Sequence, residues 1–176
     1  QAQYSKTALK VDGILDEEAW RNASWSEEFI DIEGEHMPAP AQQTKVKMAW
    51  DKHYLYVAAY LEEKDLWATL TKKDAIIYRD NDFEVFIDPD GDGLAYYEFE
   101  INALGTVLDL FMNKPYNKKG KANIGWDFQG VKSALSLQGT LNDNTDTDTS
   151  WIAEIAIPWT SFSANTGLPP ANGDAW

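Results

Sequence analysis

The sequence predicts an all-β fold, specifically an immunoglobulin-like antiparallel β-sandwich with short helical turns. Many short segments alternate apolar and polar residues, and turn residues separate them at intervals of ~8–12 residues. No segment has the apolar periodicity of a long amphipathic helix. We expect residues 1–176 to form one domain.

The N-terminal third predicts one short strand, one helical turn and one hairpin. Residues 9–11 predict the strand. Asp16 is a suitable N-cap for a helical turn that Trp20 would close against the core. Residues 44–50 and 55–62 both alternate with a period of two and flank a short turn, which predicts an antiparallel hairpin.

The central segment predicts a second hairpin, and it carries the most unusual residues. Residues 83–88 and 96–102 alternate strictly, and the connector between them is acidic and rich in glycine. Glutamate is depleted in strands, yet three glutamates lie in the middle of these two: Glu84, Glu98 and Glu100. We therefore expect these carboxylates either to face water or to bind a ligand.

The remaining strands lie in the last third of the chain. Residues 107–113 and 151–157 predict strands, and Pro158 ends the second. Residues 126–140 predict one or two more. A lysine-containing loop at 114–125 lies between the 107–113 strand and residues 126–140.

Composition limits the classes of partner. The net charge of -14 repels phosphate backbones and anionic lipids, so we expect no nucleic acid partner and no membrane insertion. The chain has no cysteine, which excludes disulfides, zinc thiolates and a thiol nucleophile. It has 8 tryptophans, and such all-β domains often use some aromatic rings for binding. Because the chain starts with Gln1, we expect a removed signal peptide and an extracellular, periplasmic or cell-surface location.

Six segments, in this order and spacing, resemble the family 9 carbohydrate-binding modules and their family-9-like relatives. They are Val11-Asp12-Gly13 with Leu15-Asp16-Glu17 and Trp20; Trp50-Asp51 with Leu55-Tyr56-Val57; residues 80–88; Tyr96 to Phe99 with Asn102 and Gly105; residues 151–159; and residues 173–176. The resemblance covers nearly the whole chain. It implies a non-catalytic module that binds polysaccharide fragments, plant-type or other, and is associated with a glycoside hydrolase as its catalytic domain or partner.

The resemblance also implies a site. In the family a sugar lies between two aromatic side chains, and the first of these corresponds to Tyr78. The ligand-facing glutamate corresponds to Glu84 and a polar residue to Asn102, whereas a family arginine is replaced here by Glu100. The family's second aromatic residue and its last strand are expected after Trp176, which would leave one strand edge open.

The residue types independently fit a sugar. A pyranose has an apolar C–H face that an aromatic ring can cover, and a polar rim that carboxylates, amides and a guanidinium can hydrogen-bond. The predicted carbohydrate-binding residues are Tyr78, Arg79, Glu84, Glu98, Glu100 and Asn102, with Asp80 beside them.

A separate hypothesis concerns a structural Ca²⁺ in the central connector. Asp88, Asp90 and Asp92 occupy alternate positions before Gly93, as oxygen ligands do at the start of a calcium loop. The twelfth position is Phe99 rather than a bidentate glutamate, which excludes a full EF-hand. Family 9 modules are similar in carrying structural calcium.

Three alternative functions remain open from the sequence. A haem-binding electron-transfer domain of the same sandwich would need ligands such as Met48, which the pattern places inward, Met112 or His53. A protein-binding sandwich would have a flat face without an exposed aromatic side chain at Tyr78. A glycoside hydrolase would need two carboxylates about 5–9.5 Å apart in a cleft, and nothing in the sequence indicates a deep cleft.

Overall fold

The protein is mostly β-strand with very little helix. The computed structural model describes residues 1–162, 168–171 and 173. The strands in this part of the chain are β1 (Gln3–Tyr4), β2 (Thr44–Trp50), β3 (Tyr54–Glu62), β4 (Asp82–Ile87), β5 (Tyr96–Asn102), β6 (Val107–Met112), β7 (Ala122–Asn123), β8 (Lys132–Gln138) and β9 (Ser150–Pro158). The α-helix α1 spans Glu18–Asn22, and 3₁₀ turns lie at Ile77–Arg79, Tyr116–Lys118 and Trp159–Ser161.

These strands form two sheets. The first has the order β1-β2-β3-β9-β8, and the second has the order β4-β5-β6-β7. Strands β1 and β2 pair in parallel, whereas the pairs β2–β3, β4–β5, β5–β6, β6–β7 and β8–β9 are antiparallel. The predicted all-β fold class is therefore confirmed. The chain divides into two compact units, and the single-domain hypothesis stays a prediction.

The first unit has a buried carboxylate at its centre. Glu154 on β9 is 0% exposed, and its Oε2 accepts hydrogen bonds of 2.9 Å from the backbone amides of Asp12 and Gly13. Its Oε1 accepts a third bond of 2.9 Å from the indole of the buried Trp20. One side chain thus fixes both the turn at 12–13 and the helix α1, with all three donors satisfied.

Three expectations about this unit are wrong. The N-cap of α1 is Glu17 rather than Asp16, and it makes no side-chain capping hydrogen bond. Residues 9–11 form no strand: the Leu9 amide donates to the Tyr56 hydroxyl and the Lys10 amide to the Glu17 carboxylate, so side chains replace a strand partner. Met48 points outward and is 38% exposed.

The inward position on β2 belongs to Lys47, which is 8% exposed. Its ammonium donates to the Trp20 carbonyl at 2.8 Å and lies 4.7 Å from the centre of the Trp25 ring. Burial lowers the pKa of Lys47. The aromatic rings accept this cation by cation–π attraction, and the period-two pattern of β2 therefore has the opposite orientation to the predicted one.

The second unit has a sheet with two different faces. One face is apolar and carries an aromatic cluster: Tyr97, Phe99, Phe111, Trp126, Phe128 and Phe162. The other face carries the carboxylates of the central hairpin. Among the described residues β4 and β7 are the edges of this sheet. Residues 174–176, which the resemblance placed before a further strand, lie outside the described part.

Candidate functional site

The candidate site is the carboxylate-bearing face of β4 and β5, which we call the acidic face. Side chains alternate across a strand, so the even-numbered residues of both strands share this face. They are Asp82, Glu84, Phe86, Tyr96, Glu98, Glu100 and Asn102.

The strand register brings three carboxylates together at one end of the acidic face. Glu84 pairs directly with Glu100, while Asp82 is the diagonal neighbour opposite Asn102. One carboxylate oxygen from each of Asp82, Glu84 and Glu100 lies within 4.8 Å of the others. We call this set the triacid. Like charges directly opposite each other destabilise a sheet, so the arrangement requires a compensating interaction.

Burial of these carboxylates increases the need for a compensating interaction. Glu100 and Glu98 are each only 3% exposed, whereas Glu84 is exposed. In the described part of the chain, Asp82 Oδ2, Glu98 Oε1 and Glu100 Oε2 are buried without a hydrogen-bond partner. Buried polar atoms are usually paired, so these orphaned oxygens mark a place where a proton or a ligand is expected.

The pKa values of the carboxyl groups on the acidic face are raised, as expected for buried groups of like charge. Burial and the neighbouring Glu84 and Asp82 charges raise the pKa of Glu100 to about 8. Burial, with the charges of Glu84 and Asp80, raises the pKa of Asp82 to about 7. The pKa values of Glu84 and Glu98 are also raised by burial. Near neutral pH the acidic face therefore holds protons that ordinary carboxylates would have lost.

A short apolar cluster lies beside the carboxylates and positions Tyr78. Ile77 is fully buried against the side chains that β6 places on the acidic face: Leu108, Leu110 and Met112. Tyr78 follows Ile77 in the same 3₁₀ turn and is 60% exposed. The turn thus lies over the acidic face and presents an aromatic ring to solvent at its margin.

Asn102 has a different environment from the one predicted. It is 0% exposed, and its Nδ2 donates at 2.9 Å to the Leu70 carbonyl and to Asp80 Oδ2. Its Oδ1 accepts from the amides of Leu104 and Thr106. Asp80 in turn accepts from the amides of residues 69 and 70, and these bonds lower its pKa against the effect of burial. Asn102 and Asp80 therefore fix the loop that carries Tyr78.

Arg79 and Glu98 complete the set of predicted residues. Arg79 is exposed in the same turn as Tyr78. Glu98 accepts a 3.2 Å hydrogen bond from the Tyr116 hydroxyl through its Oε2. The strand register and the 3₁₀ turn thus bring all six predicted residues to one sheet, though Asn102, Glu98 and Glu100 are buried. Their role in sugar binding stays a prediction.

The other end of the acidic face carries aromatic residues that are not among the predicted site residues. Phe86 is 56% exposed, and its ring centre lies 6.2 Å from that of Tyr96. Tyr116 is 58% exposed. A shallow cavity of about 260 Å³ lies here, and its lining includes Phe86, Tyr96 and Pro115. The strand alternation already placed Phe86 with Glu84, but the contribution of Tyr116 depends on the path of a distant loop.

The predicted calcium ligands lie together but already have partners. Oxygens of Asp88, Asp90 and Asp92 approach within 4.8 Å of one another. Both oxygens of Asp88 accept backbone amides of the same turn, and Asp92 accepts the Leu94 amide at 2.7 Å. These are Asx-type turn contacts that stabilise the connector without a metal. Calcium binding here stays a prediction.

A third acidic group has its own cation. Asp74, Asp109 and Asp127 all bind the ammonium of Lys73, with the Asp109 contact at 2.7 Å. Asp109 is 1% exposed and also accepts the Phe128 amide. The protein therefore supplies this cluster with one cation of its own, which offsets part of its negative charge.

Comparison with known proteins identifies the family to which this chain belongs. Residues 11–174 match the model of the family described as carbohydrate family 9 binding domain-like. The chain therefore belongs to this family of carbohydrate-binding modules, as the sequence motifs predicted. None of the helices in the described part of the chain has the length and apolar character that crossing a bilayer requires.

Two curated relatives are large glycan-degrading enzymes. The chain is 29% identical over 157 residues to endo-1,4-beta-xylanase A of Thermoanaerobacterium saccharolyticum, covering 89% of this chain and 11% of that protein. It is 31% identical over 121 residues to exoglucanase XynX of Acetivibrio thermocellus, covering 69% of this chain and 9% of that protein. The chain thus spans about a tenth of the length of each.

A family 9 module from Caldicellulosiruptor kristjanssonii shares the fold. Its complex with glucose matches with a TM-score of 0.60 and 18% identity, covering 99% of this chain and 73% of that one. Its complex with cellotriose matches with a TM-score of 0.56 and 18% identity, covering 90% and 67%. This likeness shows the β-sandwich fold.

Proposed function

We propose that this chain is a non-catalytic module that binds β-linked glucan or xylan fragments on the acidic face. The observation that carries the proposal is an exposed Tyr78 ring, in the turn whose Ile77 packs on the acidic face, together with the exposed carboxylate of Glu84 on that face. The ring supplies a stacking surface, and the carboxylate accepts hydrogen bonds from sugar hydroxyls. Arg79 is an additional donor at the rim.

The buried members of the predicted site have supporting roles in this proposal. Asn102 and Asp80 hold the loop in front of the 3₁₀ turn, so they position Tyr78 rather than contact the sugar. Phe86 and Tyr116, both more than half exposed, extend the aromatic surface along the same face. A ligand longer than one sugar unit is therefore favoured over a monosaccharide.

The ligand class follows from the relatives. One relative is named an endo-1,4-beta-xylanase and the other an exoglucanase, and the family 9 module with the same fold binds glucose and cellotriose. We propose that the chain serves a glycoside hydrolase as its partner module. Since polysaccharides are too large to enter cells intact, the proposed location is extracellular or at the cell surface.

Calorimetric titration with glucose, cello-oligosaccharides and xylo-oligosaccharides tests the proposal. We expect Tyr78→Ala to weaken binding about tenfold or more, since a central aromatic contact typically contributes more than ~1.4 kcal/mol. Phe29→Ala removes a 44% exposed ring from the other unit and serves as the control, with unchanged affinity.

Other outcomes would contradict specific parts of the proposal. Absence of binding to every glycan would overturn the function. Binding that survives Tyr78→Ala but is lost in Phe86→Ala would keep the module and move the sugar to the Phe86 end of the acidic face.

The structure gives the alternative functions little support. The exposed Tyr78 is the feature whose absence would have favoured a protein-binding face. The outward orientation of Met48 removes the argument that made it a haem ligand. Hydrolysis of the same oligosaccharides, assayed in parallel, would reveal a glycoside hydrolase.

A further inference from the structure

The triacid differs from the two other acidic clusters of the chain in how its charge is balanced. The Asp74 cluster shares the ammonium of Lys73, and the Asp88 cluster accepts the amides of its own turn. Within the described residues, no lysine or arginine forms an ion pair with Asp82, Glu84 or Glu100. The triacid thus differs from the Asp74 cluster in having no cationic ion-pair partner in the described part of the chain.

The unpaired atoms of the triacid point to a ligand. Glu100 is 97% buried, since its exposed fraction is 3%, and its Oε2 has no hydrogen-bond partner among the described residues. Asp82 Oδ2 is orphaned in the same way. Both residues belong to the set that offers three carboxylate oxygens within 4.8 Å of one another.

We propose that Asp82, Glu84 and Glu100 bind a divalent cation, and that the chemistry selects Ca²⁺. Three carboxylates around one point are hard oxygen ligands, and oxygens that converge within 4.8 Å fit ligand distances of about 2.3–2.6 Å. The cation offsets the repulsion between Glu84 and Glu100 and occupies the orphaned acceptors. The exposed side of Glu84 leaves room for water to complete the coordination shell.

The strands make this site more rigid than a loop site. Glu84 and Glu100 are a registered pair in the middle of β4 and β5, and Asp82 is anchored at the start of the same pairing. Ligands on paired strands are held in position before the ion arrives. The inference does not depend on sugar binding, although Glu84 is common to both proposals.

The test is titration of the chelator-treated chain with CaCl₂ at pH 8, without any sugar, by calorimetry and by the shift in melting temperature. We expect a Ca²⁺ equivalent whose affinity falls about tenfold or more in Glu100→Gln and also in Asp82→Asn. Asp90→Asn alters the exposed acidic turn and should leave that equivalent unchanged. MgCl₂ should bind more weakly, because Mg²⁺ demands octahedral geometry and gives up water reluctantly.

Glu100→Gln preserves the size of the side chain, and circular dichroism confirms that each variant is folded. Calcium binding that is equal in the wild type, Glu100→Gln and Asp82→Asn would overturn the inference. So would binding lost only in Asp90→Asn, which would place the ion in the connector, or no binding at all. None of these results bears on sugar binding, which the Tyr78 variant tests separately.

Discussion

Replacing Glu100 with glutamine should make the protein more stable at alkaline pH and leave it unchanged at acid pH. The pKa of Glu100 is about 8 in the fold against an ordinary 4.5, so the folded state binds more protons than the unfolded state between these values. Stability must then fall as pH rises from about 4.5 to about 8, and stay level above that. Glutamine carries no charge at any pH and removes this loss.

The magnitude follows from the charges of the triacid. Two unit charges at most 4.8 Å apart repel by roughly 3 kcal/mol or more at an effective dielectric constant of about 20. A pKa raised from 4.5 to about 8 corresponds to roughly 5 kcal/mol for an isolated group. The exposed Glu84 admits water and salt, which screen the repulsion, and neighbouring carboxyls share the protons. We therefore expect a gain of about 2 kcal/mol.

Urea denaturation at pH 5, 7 and 9, in chelator, measures this gain. The free energy of unfolding of Glu100→Gln should equal that of the wild type at pH 5 and exceed it by about 2 kcal/mol at pH 9. Glu28→Gln, which changes an exposed glutamate, is the control and should run parallel to the wild type. If the Glu100→Gln profile also runs parallel, the account of the acidic face is wrong.

Three further predictions concern the framework, each measured as the change in free energy of unfolding in urea. Glu154→Ala should destabilise the protein by about 3–5 kcal/mol, because it leaves two backbone amides and the Trp20 indole buried without an acceptor. A loss below about 1 kcal/mol would show that water replaces the carboxylate. Gly13→Ala should cost about 2 kcal/mol or more, because φ is +80° and an added Cβ would lie 2.7 Å from the Leu135 carbonyl oxygen. An unchanged midpoint of urea unfolding would refute this close approach. Lys73→Met should cost about 2 kcal/mol, because three aspartates lose their shared cation; an unchanged free energy of unfolding would refute this role of Lys73.

Alternation in the sequence was sufficient to locate most strands of the fold, and to place Glu84 with Phe86 on one face of β4 and Glu98 with Glu100 on one face of β5. A period of two depends only on strand geometry, so β4, β5, β6 and β9 follow from local patterns. The motif order also identified the family, which the match over 11–174 confirmed.

Where local patterns failed, the cause was a distant side chain. Residues 9–11 have strand-like composition, but their amides bind the Tyr56 hydroxyl and Glu17 carboxylate. Lys47 is charged, yet a carbonyl and aromatic rings from other segments allow it to be buried in place of Met48. Such partners cannot be inferred from the strand itself.

The sequence alone determined that this is an acidic, all-β protein with carboxylates in its central strands and an aromatic residue before them. Only the tertiary structure decided the burial of those carboxylates and the charges around them. The register set Glu84 against Glu100, and the packing left Glu100 3% exposed and Tyr78 60% exposed. The reason is physical: alternation assigns a residue to a face, but burial and charge depend on which segments fold over that face.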